Sequence, residues 1–301
     1  MKKTLAMMTA AMMVAGALTG CGSSSSTPAA TTAAGTEAAT TAAATEAATY
    51  ATTTEAAGDT AAAAEGSVKT PSGKFTVGFD QEFPPMGFVG DDGQFTGFDL
   101  DVAKEVASRL GLEFVPQPIN WDAKDMELDS GNIDCIWNGF TMQGREDAYT
   151  WVGPYMANNQ VFVVNADSDI ASKADLAGKA VEVQKDSSGL AALQSETELS
   201  ASFGSMTEVA DYNTALMDLE SGACDAVCMD SIVAGYQIKS SGKDMKILDD
   251  TLSAEEYGIG FKKGEDELAK AVYDTLMEMK DDGTVAKISN DWFGSDVFTL
   301  K

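Results

Sequence analysis

Histidine is missing from all 301 residues, which removes the commonest metal ligand and the commonest general base together. With neither, and with no activated nucleophile in view, the chain is not expected to be an enzyme and calls for no cofactor and no metal. Arginine is scarce as well, occurring only as Arg109 and Arg145. Lysine and arginine total 20 against 47 acidic residues, a net charge of −27, so the basic surface that nucleic-acid phosphates require is absent. Cysteine is limited to Cys21, Cys135, Cys224 and Cys228. Setting Cys21 aside, the odd remainder permits at most one disulfide. Cys224 and Cys228 fall in a segment read as strand, where extended spacing holds them too far apart to bond, so buried thiols are expected.

Long hydrophobic runs are also lacking, with one exception near the start. Lys2 and Lys3 precede a largely apolar run over 5–18, then Leu18-Thr19-Gly20-Cys21. That is the order of a secretory signal, too short for a comfortable membrane span, and it resembles the lipobox of bacterial lipoproteins. Residues 1–20 are therefore expected to be a signal peptide and Cys21 the lipidated first residue, anchored on the extracytoplasmic face of the cell membrane. Residues 22–69 are almost entirely Ala, Thr, Ser, Glu and Gly, without the apolar side chains of a core. With Cys21 they form an expected disordered tether over 21–69.

The remaining residues suffice for one large or two smaller cores. Residues 75–79 alternate as a strand, a Pro- and Gly-rich loop follows, and Asp99 is placed to cap a helix. In that helix Leu100, Ala103, Val106, Ala107 and Leu110 share one face, and Gly111 closes it before a strand over 112–116. Strand, helix, strand is the grammar of a parallel sheet. One unit is written twice. Met126-Glu-Leu-Asp-Ser-Gly-Asn-Ile-Asp134-Cys-Ile-Trp137 matches Met217-Asp-Leu-Glu-Ser-Gly-Ala-Cys-Asp225-Ala-Val-Cys228. Each is a helix end, a Ser-Gly stop and an apolar strand, which suggests two similar lobes. Ligands of open α/β sheets sit beyond the carboxyl ends of strands, which points to Asn138, Gly139 and Thr141 in the first unit and to Met229, Asp230 and Ser231 in the second.

The residues by themselves leave several roles open. Arg145, in a loop leaving a strand end, can clamp a carboxylate bidentately or pair with its neighbours Glu146 and Asp147. Asp230 can receive an ammonium group or cap the helix that follows it, and Asp80 and Glu82 share that ambiguity. Ser187 and Ser188 sit at a helix N-terminus, which offers N–H groups to an anion or is simply capped by serine. Phe83 and Trp121 can wall a pocket or fill a core. Arg109 lies on the polar side of its helix.

Six ordered segments carry a resemblance. They are Gly97-Phe-Asp-Leu-Asp-Val-Ala-Lys104, Asn138-Gly-Phe-Thr141 with Arg145, Asp175-Leu-Ala-Gly-Lys179 before Val-Glu-Val-Gln184, Asp225-Ala-Val-Cys-Met-Asp230, Tyr257-Gly-Ile-Gly-Phe261, and Asp282-Gly-Thr284 with Trp292-Phe293. With these the chain resembles the family 3 extracellular solute-binding proteins, which serve ABC transporters of polar amino acids. The resemblance implies a type II periplasmic-binding-protein fold: two α/β lobes, a cleft between them and two hinge crossings, near 155–160 and 254–257. Lobe 1 is then discontinuous, 73–156 plus 257–301, and lobe 2 covers 160–254. By analogy Arg145 grips the ligand α-carboxylate, with Thr141, the Gly139 backbone, Ser187 and Ser188 assisting, and Asp230 receives the α-ammonium. Asp80, Phe83 and Trp121 line the side-chain end, and Asn138 and Gln184 complete the site. The implied partners are an amino acid and the permease subunits of an ABC importer, with the membrane touched only through the lipid anchor and the protein monomeric. Two departures stand out. The loop from Thr141 to Arg145 is one residue shorter than the family pattern, and Lys185-Asp186 stands where glycine often follows the residue matching Gln184.

Overall fold

A computed structural model describes Thr70 and residues 72–301. The expected signal peptide over 1–20, Cys21 and the tether over 21–69 lie outside the described residues. Among the described residues no helix is long and apolar enough to cross a membrane.

The chain begins with β1 (Lys74–Phe79) and a small antiparallel sheet of β2 (Glu82–Phe83), β3 (Gly87–Val89) and β4 (Phe95–Thr96). Next come α1 (Phe98–Leu110), β5 (Glu113–Pro118), α2 (Lys124–Ser130), β6 (Cys135–Thr141) and the long β7 (Tyr149–Asn165). A second α/β run follows: β8 (Ala180–Gln184), α3 (Ser188–Ser195), α4 (Thr197–Ser202), β9 (Ser205–Val209), α5 (Tyr212–Ser221), β10 (Ala226–Asp230), α6 (Ser231–Ser241) and β11 (Met245–Ile247). The chain then returns through β12 (Ser253–Lys262) to α7 (Asp266–Asp281) and α8 (Thr284–Phe293).

The main sheet has the order β5-β1-β6-β12-β7-β10-β8-β9, with β11 beside β7. Its two flanks, β5-β1-β6 and β10-β8-β9, are parallel, and the central pair β7 and β12 is antiparallel to its neighbours and to itself. Each flank places its first strand between the second and the third, which creates a switch point at its carboxyl end. The expected crossings are one ribbon, in which Tyr257 faces Met156, Glu255 faces Asn158 and Ser253 faces Gln160. The chain thus has the type II architecture of two α/β lobes joined by two hinge crossings.

Covering helices explain the uninterrupted apolar strands. Every residue of β6 and of β10 is buried, as a strand covered on both faces requires. Burying each large apolar side chain there contributes about 1.5–3 kcal/mol. In α1, Leu100, Ala103, Val106 and Ala107 face the core as the periodicity predicts, and Gly111 ends the helix in the left-handed conformation. The cap assignment is corrected. Gly97 occupies the N-cap, and the Asp99 carboxylate is fully buried, accepting from the Gly139 amide at 2.7 Å and the Tyr155 hydroxyl at 2.8 Å. The strand after α1 runs 113–118, slightly later than expected. Cys224 precedes β10 rather than lying within it, and Cys135, Cys224 and Cys228 are all free and buried.

The repeated unit is repeated down to its hydrogen bonds. Gly131 and Gly222 end α2 and α5 in left-handed conformations, each donating its amide to a leucine carbonyl, Leu128 and Leu219, at 3.1 Å. The Asp134 carboxylate then accepts from the Thr76 amide at 2.6 Å, and that of Asp225 from the Ala180 amide at 2.8 Å. In return the amides of Asp134 and Asp225 donate to the Thr76 and Ala180 carbonyls, both at 2.8 Å. Each aspartate thereby ties the third strand of its lobe to the first.

Candidate functional site

Beyond the carboxyl ends of these strands the lobes meet around a small cavity. Nine residues line it: Phe83, Trp121, Gly139, Thr141 and Arg145 from lobe 1, and Gln184, Ser187, Ser188 and Asp230 from lobe 2. All nine belong to the set singled out in the sequence. The other two members stand behind the wall. Asp80 is buried, accepting from Gln184 Nε2 at 2.7 Å and the Glu82 amide at 2.9 Å, and Asn138 Oδ1 accepts from the Asp80 amide at 3.0 Å. Burial pushes the Asp80 carboxyl up to about 6, against the opposing pull of these hydrogen bonds.

Arg145 and Asp230 do not take the local ion pair and the side-chain cap that the sequence left open. Among the described residues Arg145 makes no ion pair with Glu146 or Asp147, nor with any other acid. Its guanidinium lies over the Phe140 ring at 5.1 Å and donates to the carbonyls of Thr141 and Asp186, each at 3.2 Å. The Asp230 backbone occupies the N-cap of α6, but its side chain makes no capping bond. Instead Oδ1 accepts from Asn158 Nδ2 at 2.7 Å and the Tyr257 hydroxyl at 2.6 Å, and Oδ2 accepts from the Tyr212 hydroxyl at 3.1 Å. Burial, and then the neighbouring Glu255, raise the Asp230 carboxyl to about 7. Ser187 is a true cap, its hydroxyl accepting from the Leu190 amide at 3.0 Å, whereas the Ser188 hydroxyl contacts Thr141 Oγ1 at 3.2 Å across the cleft. Arg109, read as solvated, pairs with Glu105 within α1 at 2.8 Å and bolts the helix to the turn before α8 through Asp282 at 2.6 Å.

Gly139 shows why the strand end has this composition. Its φ is +55°, and a Cβ there would stand 2.9 Å from Phe83 and 3.1 Å from Tyr257. Only glycine tolerates both the backbone and the crowding, and the turn aims its amide at Asp99.

Of three further groups, sequence reading missed two and noted the other, Asp186, only as a departure from the family pattern. Lys124 is buried in lobe 1, its ammonium pairing with Asp186 of lobe 2 and standing 5.1 Å from the centre of the Trp121 ring. Burial lowers its pKa, and Asp186 opposes that shift. Asp186, at φ +53°, is the single non-glycine residue with positive φ among the described residues, in the segment where the family pattern favours glycine. Its neighbour Lys185 pairs with Asp122 at 3.0 Å, so the departure from the pattern contributes two ion pairs between the lobes. Glu255 is the third group, buried in the hinge ribbon. Strand alternation was its one available signal, because it shares a face with buried Tyr257 while Glu256 is exposed. A wider opening of about 880 Å³ adjoins Trp121 and is lined by Asp80, Glu82, Asp122, Glu127 and Asp211, with Lys185 its only basic residue.

The description "Bacterial extracellular solute-binding proteins, family 3" matches residues 75–295, nearly the whole described chain. The chain belongs to this family. Among its relatives, the L-cystine-binding protein TcyJ of Escherichia coli (strain K12) is 33% identical over 231 residues, covering 75% of this chain and 84% of TcyJ. The L-cystine-binding protein TcyA of Bacillus subtilis (strain 168) is 33% identical over 229 residues, covering 75% of this chain and 83% of TcyA. In three dimensions the chain is similar to an ABC uptake transporter substrate binding protein from Streptococcus pneumoniae with bound histidine. That match has a TM-score of 0.73 and 34% identity, over 76% of this chain and 95% of that one. Tv2483 bound to L-arginine matches with TM-score 0.72 and 27% identity, over 77% and 98%. Membership in a solute-binding family supports binding rather than turnover.

Proposed function

We propose that this protein is the substrate-binding lipoprotein of an ABC importer, capturing a polar amino acid between its lobes and delivering it to the membrane permease. One observation carries the reading. A single cavity is lined by a half-buried arginine from one lobe and a buried aspartate from the other, and neither has an ion-pair partner among the described residues. An unpaired charge away from water is costly, and a zwitterion is the small molecule that relieves both.

In this reading Arg145 takes the α-carboxylate, helped by Thr141 Oγ1, the Gly139 backbone, Ser187 and Ser188, and Asp230 takes the α-ammonium. Phe83, Trp121, Asp80 and Gln184 surround the side-chain end. The acids around the adjoining opening favour a side chain that ends in a positive group, in keeping with relatives whose names specify cystine, arginine and histidine. Lobe 1 spans 73–156 plus 257–301 and lobe 2 spans 160–254, so the ligand bridges two bodies and closure follows capture. Cleavage before Cys21 and its lipidation hold the monomer on the extracytoplasmic face, with 21–69 as the spacer.

A thermal-shift screen of the standard amino acids with cystine and ornithine identifies the ligand, since tight binding raises the melting temperature by mass action. Calorimetry on Arg145→Ala then tests the assignment, and an unchanged affinity overturns it.

A further inference from the structure

The hinge ribbon holds more negative charge than a zwitterion neutralises. Asn158 donates from one amide nitrogen to both Asp230 Oδ1, at 2.7 Å, and Glu255 Oε1, at 2.6 Å. Glu255 Oε1 also accepts from Gln160 Nε2 at 2.9 Å and the Ser188 hydroxyl at 3.4 Å. Every donor to either carboxyl group is a neutral amide or hydroxyl. No lysine or arginine pairs with Asp230 or Glu255 among the described residues, and both are at least 95% buried, with 3% and 5% exposure. Asp230 Oδ1 and Glu255 Oε1 are brought together on that one amide donor, and two adjacent desolvated carboxylates without a cation are not a stable pair. One positive charge is missing, and a proton shared between them is the simplest supply.

Building on the ammonium assignment above, we propose that Glu255 is the second carboxylate of the ammonium site, and that capture of an amino acid expels one proton held between Glu255 and Asp230. Before capture the pair is one carboxylic acid hydrogen-bonded to one carboxylate. When the ligand ammonium arrives it supplies the missing charge, the shared O–H bond breaks, and the proton leaves to solvent. No oxidant or other reactant is needed. Glu255 lines the open cleft of about 770 Å³ beside Arg145 and Ser188, which offers the exit. The ligand then stands as a +1 charge between two carboxylates, which explains a glutamate at a position where glutamine would satisfy the same donors.

The surroundings leave the pair as the titrating unit. Tyr212 of α5, Tyr257 of β12, Tyr155 of β7 and Cys228 of β10 are held in their neutral forms, their pKa values pushed well up by burial. The facing groups of β7 and α3, Asn158, Gln160 and Ser188, do not titrate. Arg145 is the one basic residue lining the cavity, and its guanidinium donates to the carbonyls of Thr141 and Asp186 and not to this pair.

The test is calorimetry of the exported domain with L-arginine and with L-cystine, between pH 5.5 and 8.5, in phosphate and in Tris. Different buffer ionisation enthalpies report the protons released. Close to one proton is expected to leave at pH 6, falling toward none at pH 8.5, with affinity weakening up to about tenfold per pH unit below neutrality. Glu255→Gln is expected to flatten that profile, to cut release to less than half and to weaken amino-acid binding at pH 8, where no proton has to leave. An infrared carbonyl band of a protonated carboxyl group, lost on adding the amino acid to the unaltered protein, supports the exchange without any variant. Binding with no proton release at any pH overturns the proposal and leaves the amino-acid reading standing. No binding of either amino acid at any pH overturns both.

Discussion

At equivalent places in the repeated unit, β6 reaches Gly139 and β10 reaches Asp230. Up to that point the two run alike, with the same glycine stop and the same aspartate tying the third strand to the first. At that point they part. Gly139, at φ +55°, lets β6 continue through Thr141 beside β12, so the charged group of lobe 1 arrives from the following loop as Arg145. Asp230, with φ −65° and ψ 130°, turns straight into α6 and leaves its own carboxylate at the strand end. One supporting frame therefore delivers opposite charges to one cavity, and the sign is set by how the strand ends.

The comparison breaks most visibly at the two charges. Arg145→Ala and Asp230→Ala are each expected to weaken amino-acid binding by about two to three orders of magnitude in calorimetry, because each leaves a desolvated partner charge unmatched. A large loss in one and none in the other dissolves the symmetry. Next come the tying aspartates. Asp134→Ala and Asp225→Ala each orphan a strand amide and are expected to cost about 1–3 kcal/mol in urea unfolding, and similar values confirm that the frame is shared. Gly139→Ala follows, at about 1–2 kcal/mol, since alanine is strained at positive φ and its Cβ meets Phe83.

A pH series sharpens the contrast between the fold and its site. Asp99, Asp230 and Asp80 have carboxyl groups raised by burial to about 7, about 7 and about 6. Between their unfolded value of 3.8 and those folded values the native state binds more protons than the unfolded one, so stability rises as pH falls through that window. Asp282, lowered to about 2 by Thr284 and Arg109, works in the opposite sense only at pH values below the window. Moving the ligand-free protein from pH 7.5 to pH 5 is therefore expected to raise its melting temperature, by about 2–4 °C for each net kcal/mol. Ligand affinity moves the other way, so a melting temperature that falls along this path contradicts the upward shift of these buried carboxyl groups. The smallest effect belongs to the half-exposed pair joining Lys185 to Asp122, where Lys185→Ala is expected to change affinity by less than about 1 kcal/mol.

Local chemistry made much of this legible in advance. Alternating and helical periodicities, glycine stops and the doubled Ser-Gly unit identified the elements and the strand ends, because those signals act within one or two turns of chain. The scarcity of arginine drew attention to Arg145, and the ordered family segments contain five of the residues that line the cavity, Gly139, Thr141, Arg145, Gln184 and Asp230. Asp99 was misread as a cap because its spacing before a helix is right, and only the approach of Gly139 and Tyr155 gives it another role. Lys124 and Glu255 were passed over because an isolated lysine or glutamate in an acidic chain carries no local signature of burial.

The sequence by itself determined the order of elements, the repeated unit and the side chains available at each strand end, all properties of neighbours along the chain. The tertiary structure decided which charges face each other without a partner. Asp230 and Glu255 are 25 residues apart in sequence and share one amide donor in space. Whether a charge is paired depends on the dielectric and on every group within a few ångströms, and those are fixed only when the lobes and their hinge have folded together.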